Sequence, residues 1–149
     1  MWMEALILWA CRMRMEPNHI NELLLKMDDQ KEFSIGNDIV FLPDFKASYN
    51  ELFQRKVYTV SEIEYCESFS EPILRYASTW AAKEAVYKAL KQVDKTLLGW
   101  KDIEISREKA SGQPLVKLHK NSIKLTISLT LTHDGEYVWA LAMIKRPSH

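Results

Sequence analysis

Only two cysteines occur, Cys11 and Cys66, so the chain has no disulfide framework and no Cys/His spacing that would hold zinc. Two reduced thiols suit a cytoplasmic protein. Charge of one sign is also lacking. Lys plus Arg number 20, and Asp plus Glu number 20, which leaves no net field to favour nucleic acid or an anionic membrane. No apolar run is long enough to cross a bilayer. The longest near the start, Ala5 to Cys11 within "MWMEALILWACRMRM", falls far short of the ~20 residues a span needs. Glu4 and the lack of a basic n-region argue against a secretory leader. Internal repeats, low-complexity tracts and linkers are absent.

What is present reads as one domain. The 149 residues are 47% hydrophobic and 27% charged, ordinary values for a chain that buries roughly 68–70% of its unfolded surface. Asn18 is placed to cap a short helix through "HINELLLKM". "FSIGNDIVFL" reads as a strand entered through Gly36, and "NELFQRKVYT" as a short helix. "TVSE" has capping-box spacing from Thr59 to Glu62 and opens another. A long helix starts at Ser70 or Glu71, carries Pro72 in its first turn and runs to about Val93. After Gly99, "WKDIEIS" alternates like a strand, and "ASGQP" turns into "LVKLH". "IKLTISLTLT" and "EYVWALAMI" are strands joined at Asp134-Gly135, a two-residue hairpin signal. The fold class is α+β, an antiparallel sheet packed against a long helix.

Asp38 stands directly before the apolar run Ile39–Leu42 and needs a partner. The long helix offers one. At 100° per residue Ala82, Val86, Ala89 and Val93 share a side that should pack on the sheet, while Trp80, Glu84, Tyr87, Lys88 and Lys91 share the other, with Lys83 at its margin. One reading is purely structural: Glu84 and Lys88 form a favourable i,i+4 pair worth ~0.2–0.5 kcal/mol, and Asp38 bonds backbone at an edge strand. The other brings Asp38 and Glu84 together. Two adjacent carboxylates repel and are costly to desolvate, a cost that a bound divalent ion removes. Oxygen ligands and few protein donors suit magnesium, which completes its shell with water and phosphate. Lys83 and Lys88 would then donate to phosphate oxygens, giving a site suited to transferring a phosphorus-centred group.

These segments resemble the 4'-phosphopantetheinyl transferases, and in particular their small, single-lobed branch, the holo-acyl-carrier-protein synthases. "GNDIV" is similar to that family's Gly-x-Asp-x-Val segment. "WAAKEAVYKAL" is similar to its aromatic-x-x-Lys-Glu-x-x-x-Lys-Ala helix, "FQRKVYTVSEIEYC" to its intervening stretch, "SGQPLVKL" to its Gly-x-Pro turn, and "LTLTHDGEYVWALAMI" to its closing strands. The likeness covers about residues 33–145 in the family's order. It divides the chain into an N-terminal extension, 1–31, without counterpart, and a transferase domain, 32–147.

The resemblance implies a reaction. The serine hydroxyl of an apo carrier protein attacks the phosphorus on the pantetheine arm of coenzyme A, the arm is transferred, and 3',5'-ADP leaves. It implies that Asp38 and Glu84 hold magnesium, that Glu84 and Lys88 are catalytic, and that Lys83 and Lys88 contact phosphates. Thr132 and His133 match the segment on the 3'-phosphate, and Gly112 and Pro114 a turn near the adenine. Arg75 reaches phosphate or a carrier acid. Arg55 and Lys56, with Arg75, are candidates for the basic patch that receives an acidic carrier. The serine proton goes to Glu84 or to water on the metal; the sequence leaves both open. The type implies coenzyme bound between subunits of a trimer, in the cytoplasm, serving fatty acid biosynthesis or another carrier-dependent pathway. Departures are Thr132 for serine, Gln113 for lysine, the short "HKNSIK", and no second acid two residues after Asp38. Rival functions are a magnesium-dependent pyrophosphate hydrolase and a non-catalytic binder of carrier proteins.

Overall fold

The computed structural model describes residues 32–120 and 125–146. The expected extension 1–31, its helix through "HINELLLKM", and part of "HKNSIK" lie outside those residues.

Strand β1 runs Phe33–Phe41 and leads directly into helix α1, Leu42–Ser48, where Pro43 sits in the first turn. Asn50 caps α2, Glu51–Val57, by accepting the Phe53 N–H. Thr59 caps α3, Val60–Glu67, and the expected capping box with Glu62 is formed. Helix α4 spans Pro72–Leu90, three residues short of the expected end at Val93. A 3-10 turn, Trp100–Asp102, precedes β2, Ile103–Arg107. Strands β3, Pro114–Leu118, β4, Thr126–Asp134, and β5, Tyr137–Lys145, complete the domain.

All strand pairings are antiparallel, but the strands make two sheets rather than the single one expected. β2 and β3 form a separate hairpin. The larger sheet has the order β1-β5-β4, so the first strand pairs with the last, from Phe33 opposite Lys145 to Phe41 opposite Tyr137. The β4–β5 turn is Gly135–Glu136, one residue later than expected, with Asp134 opposite Tyr137 closing the ladder. Gly135 takes φ +54 there, a left-handed conformation that glycine adopts at little cost.

Alternation sorts each strand. Val138, Ala140, Ala142 and Ile144 of β5 are buried under α4, whose Ala82, Ala85, Val86 and Ala89 are buried against them. Tyr137, Trp139 and Met143 point the other way and are exposed, as are Phe33, Ile35 and Ile39 of β1. Gly36 is not a turn residue. It lies mid-strand beneath α4, where an added Cβ would come within 2.0 Å of the Ala85 carbonyl oxygen and 2.6 Å of the Ala89 nitrogen.

Both obstructing atoms belong to helix backbone, which has nowhere to retreat. Gly36→Ala should therefore destabilise the fold by at least ~3 kcal/mol, the upper end for an overpacked core. Urea unfolding followed by circular dichroism measures it. A loss below about 1 kcal/mol would mean that helix and strand are not this close.

Candidate functional site

Two clusters arise from α4, one on each flank. The first joins α4 to β1. Asp38 is an inward-facing residue of β1, and its carboxylate Oδ1 accepts a hydrogen bond from Lys88 Nζ at 2.7 Å. Lys88 also donates to the Asn37 carbonyl at 3.1 Å. Asp38 and Glu84 line one cleft of about 540 Å³, together with Trp80, Asp44 and Ser48. Burial raises the Glu84 pKa above its ordinary 4.5; the Asp38 charge raises it further, and Lys88 pulls it back. The two carboxylates expected to converge thus line one cleft, and the Asp38 charge reaches Glu84. Asp44 is a third carboxylate on the cleft wall. Sequence reasoning passed over it because, in the first turn of α1, it reads as an ordinary helix-start acid.

Two facing carboxylates in a roomy cleft are hard oxygen donors with excess negative charge. That donor set fits a divalent ion such as magnesium. Among the described residues no group of three or more His, Cys, Asp or Glu is close enough to cage a metal, so an ion here would keep open positions for water or phosphate.

Lys83 departs from expectation. It is not at the margin of the polar side but fully buried. Its Nζ pairs with Glu62 Oε2 at 2.8 Å and donates to the carbonyls of Trp100 at 2.9 Å and Ile103 at 2.6 Å. Burial lowers its pKa, and the Glu62 charge opposes that pull. With its three ammonium hydrogens committed, Lys83 has none to offer a phosphate. Helical periodicity could not reveal this, because the partner is on α3, 21 positions away.

The second cluster lies between α4, the β2–β3 hairpin and β4. Arg75, Gly112, Pro114, Thr132 and His133, all expected site residues, line a single cavity of about 160 Å³. Arg107, the last residue of β2, lines it too. A lone basic residue at a strand end carries no sequence signal, and it went unread. Gly112 takes φ +71 in the hairpin turn, which is closed by Glu108 N–H to the Gln113 carbonyl at 2.8 Å. Arg75 and Glu84 are nine positions apart, roughly half a turn out of phase on α4. The two clusters therefore sit at opposite edges of the β1-β5-β4 sheet.

The 4'-phosphopantetheinyl transferase superfamily model matches residues 34–142. The holo-[acyl-carrier-protein] synthase of Chlorobaculum parvum is 36% identical over 114 residues, covering 74% of this chain and 97% of that protein. The solved structure of the Chronobacterium ammoniagenes ACPS-CoA complex shares the fold, with a TM-score of 0.66 at 23% identity over 79% of this chain and 100% of that one. Helicobacter pylori holo-[acyl-carrier-protein] synthase, solved in complex with coenzyme A, is 30% identical with a TM-score of 0.58, over 74% and 97% of the two chains.

The Glu84 pKa offers a check on the cleft. Because it is raised on folding, the stability Glu84 contributes is fully present below its unfolded value and is lost as pH rises through its folded one. In chelator-treated protein, Asp38→Asn should bring the Glu84 pKa down toward 4.5 and flatten that loss. Carboxyl NMR titration reads the pKa directly. An unchanged value in the variant would separate the two side chains.

Proposed function

The chain belongs to the 4'-phosphopantetheinyl transferase superfamily, and from that premise we propose that it is a holo-acyl-carrier-protein synthase. It transfers the 4'-phosphopantetheine arm of coenzyme A to a serine of an apo acyl carrier protein and releases 3',5'-ADP. The observation that carries this reading is the meeting of Asp38 and Glu84 in one cleft, with Lys88 bonded to Asp38.

In the transfer, the serine oxygen bonds to the phosphorus bearing the arm, the bond from that phosphorus to the leaving 3',5'-ADP oxygen breaks, and the hydroxyl proton passes to a base in the cleft. Asp38 and Glu84 would hold magnesium, which when bound supplies positive charge to a pyrophosphate. Lys88, half-exposed at the cleft, is placed to turn its ammonium toward phosphate once Asp38 engages another cation. Trp80 and the β1 residues Asp38 to Phe41 wall the cleft. Arg55 and Lys56 are exposed in the last turn of α2 and suit an acidic carrier surface. The buried, unpaired Cys66, its thiol pushed up to about 12 by burial, is compatible with a cytoplasmic protein, and no described helix is long and apolar enough to cross a membrane.

A homo-oligomer, most simply a trimer, completes the reading. The outward face of β1 and β5 exposes Ile35, Ile39, Trp139 and Met143, with Ile39 opposite Trp139 and Ile35 opposite Met143. Contiguous apolar surface of this kind marks an interface. The carboxylate cleft and the arginine cavity also lie on opposite flanks of α4, so one coenzyme spanning both kinds of site needs a second chain to supply one of them.

Incubation with coenzyme A, magnesium and an apo carrier protein should add one phosphopantetheine mass to the carrier. Asp38→Ala and Glu84→Ala should each cut the rate by at least ~10²-fold, the usual cost of losing one charge-stabilising contact. Coenzyme cleavage with no mass gain on the carrier would point instead to a pyrophosphate hydrolase. Full activity in both variants would remove the site.

Trp139→Glu, which plants a charge in the apolar face, should shift the sedimentation coefficient to that of a monomer and abolish transfer. A wild-type monomer with full activity would discard the oligomer.

A further inference from the structure

Among the described residues β1 pairs only with β5, so it forms an edge of its sheet. A strand edge presents backbone carbonyls in need of partners, and here the side chains of α4 and its C-terminal turn supply them. Lys88 Nζ donates to the Asn37 carbonyl at 3.1 Å, and Gln92 Nε2 donates to the Ile35 carbonyl at 2.7 Å. The two periods match: four residues of helix advance about 6 Å, and two residues of strand about 6.8 Å. Glu84, one turn before Lys88, therefore comes level with Ile39, and both line the carboxylate cleft. Side chains thus stitch the helix to the strand edge from Gln92 up to the cleft.

Gln92 does more than cover an edge. A helix leaves its last four carbonyls without partners inside it. At the end of α4 those of Tyr87, Ala89 and Leu90 accept backbone N–H groups from residues 91 to 94. That of Lys88 accepts instead from Gln92 Nε2, at 3.1 Å, a nitrogen with two hydrogens to give. One amide group therefore ties the carbonyl of Lys88 to that of Ile35. The far end of Lys88 bonds Asn37 and Asp38. Its four-carbon stem is flexible, so the anchoring of its root decides where the ammonium can go once Asp38 engages a metal. The main chain of Gln92 is held too, its carbonyl accepting from Arg146 at 3.4 Å, just beyond β5. Gln92 is exposed and lies past the last residue of α4, so replacing it empties no core.

We propose that Gln92 is a positioning residue for Lys88: its amide keeps the root of the lysine against β1, so that the ammonium stays over the cleft when a divalent ion takes Asp38. The phosphate that Lys88 then meets rests on the transferase reading; the positioning itself does not. Nitrogen-15 NMR of the lysine ammonium groups tests it in the full chain without a ligand. Gln92→Met, which keeps the length and loses both donors, should speed hydrogen exchange at Lys88 Nζ several-fold. Lys83 Nζ, held by Glu62 and two carbonyls, should be unmoved. Calorimetric titration with coenzyme A in the presence of magnesium tests the consequence. Gln92→Met should weaken binding about 3–10-fold, the range for a net hydrogen bond. In a Lys88→Met background the same change should add no further loss, because its target is gone. Gln92→Lys, which returns a donor at that reach, should recover most of the affinity. If Gln92→Met does not fold, Gln92→Glu, of the same shape and without donors at neutral pH, should give both results. Unmoved exchange at Lys88 would overturn the proposal. So would an equal loss of coenzyme affinity in both backgrounds, the mark of a merely structural residue. A wild type that binds no coenzyme A, with Lys88 exchange still dependent on Gln92, would uphold the positioning and sink the transferase reading instead.

Discussion

A buried ion pair, Glu62 with Lys83, sets the geometry on which the rest depends. Glu62 does three jobs at once. Oε2 accepts the Thr59 N–H that closes the cap of α3, the same oxygen meets Lys83, and Oε1 accepts the Ile105 N–H of β2. Lys83 in turn gathers the carbonyls of Trp100 and Ile103. One pair thus ties α3, α4, the 3-10 turn and β2 to a single point. Placing two charges in the core is expensive, and the expense is offset only because nearly every donor and acceptor is used. Removing either partner would leave the other charged and alone, typically at a cost of ~3–5 kcal/mol. Its functional consequence lies one residue on. With Lys83 locked inward, the helix cannot roll, and Glu84 is presented a fixed ~100° away, toward β1 and Asp38.

That coupling explains why some of the site could be read from the sequence and some could not. Asp38 stood out because it is an acid directly before an apolar run, and Glu84 because it lies on the polar side of the long helix, where a hard cation would resolve the repulsion between the two. The short helix, the capping box, the long helix and the β4–β5 hairpin were legible for local reasons: caps, periodicity and turn chemistry all act within a few residues. Lys83 was misplaced because its surroundings come from Glu62 and from backbone carbonyls at positions 100 and 103, none of which a helical wheel contains. Gly36 is expected at the entry to the strand, because glycine usually marks a chain boundary, yet it lies mid-strand. Its purpose, to let a helix backbone approach, exists only once α4 lies across the strand. The division into two sheets was hidden for the same reason, since strand order depends on β1 reaching β5 across a hundred residues.

The arginine cavity shows the same division between local and distant information. Its residues come from α4, the β2–β3 hairpin and β4, and no spacing relates them. Family resemblance grouped five of them, but not Arg107, whose neighbours in sequence give no sign of a partner. What singles it out is an electrostatic oddity of the folded chain: a largely buried guanidinium near another, with the adjacent acids bonded elsewhere. Charge left unpaired in a concave, aromatic-lined place is a stronger indicator of a ligand than charge alone.

The small residues of the core govern how near the reactive groups can come. Ala81, Ala82, Ala85 and Ala89 face Gly36, Ala140 and Ala142 in the buried layer. Larger side chains there would lift α4 away from the sheet by the thickness of the added atoms. The cleft between Glu84 and Asp38 would widen with it, as would the 2.7 Å contact from Lys88 to Asp38. Such a stripe gives up hydrophobic area, since each alanine buries less than a leucine or valine would. The aromatic cluster at the N-terminal half of the helix, Tyr49, Phe53, Tyr58, Tyr76, Trp80 and Trp100, supplies bulk where close approach is not required. The core is therefore divided around α4: aromatic rings, Trp80 among them, pack on the side of α2 and the 3-10 turn, and alanines bring the helix down onto β1, where Asp38 and Glu84 line one cleft.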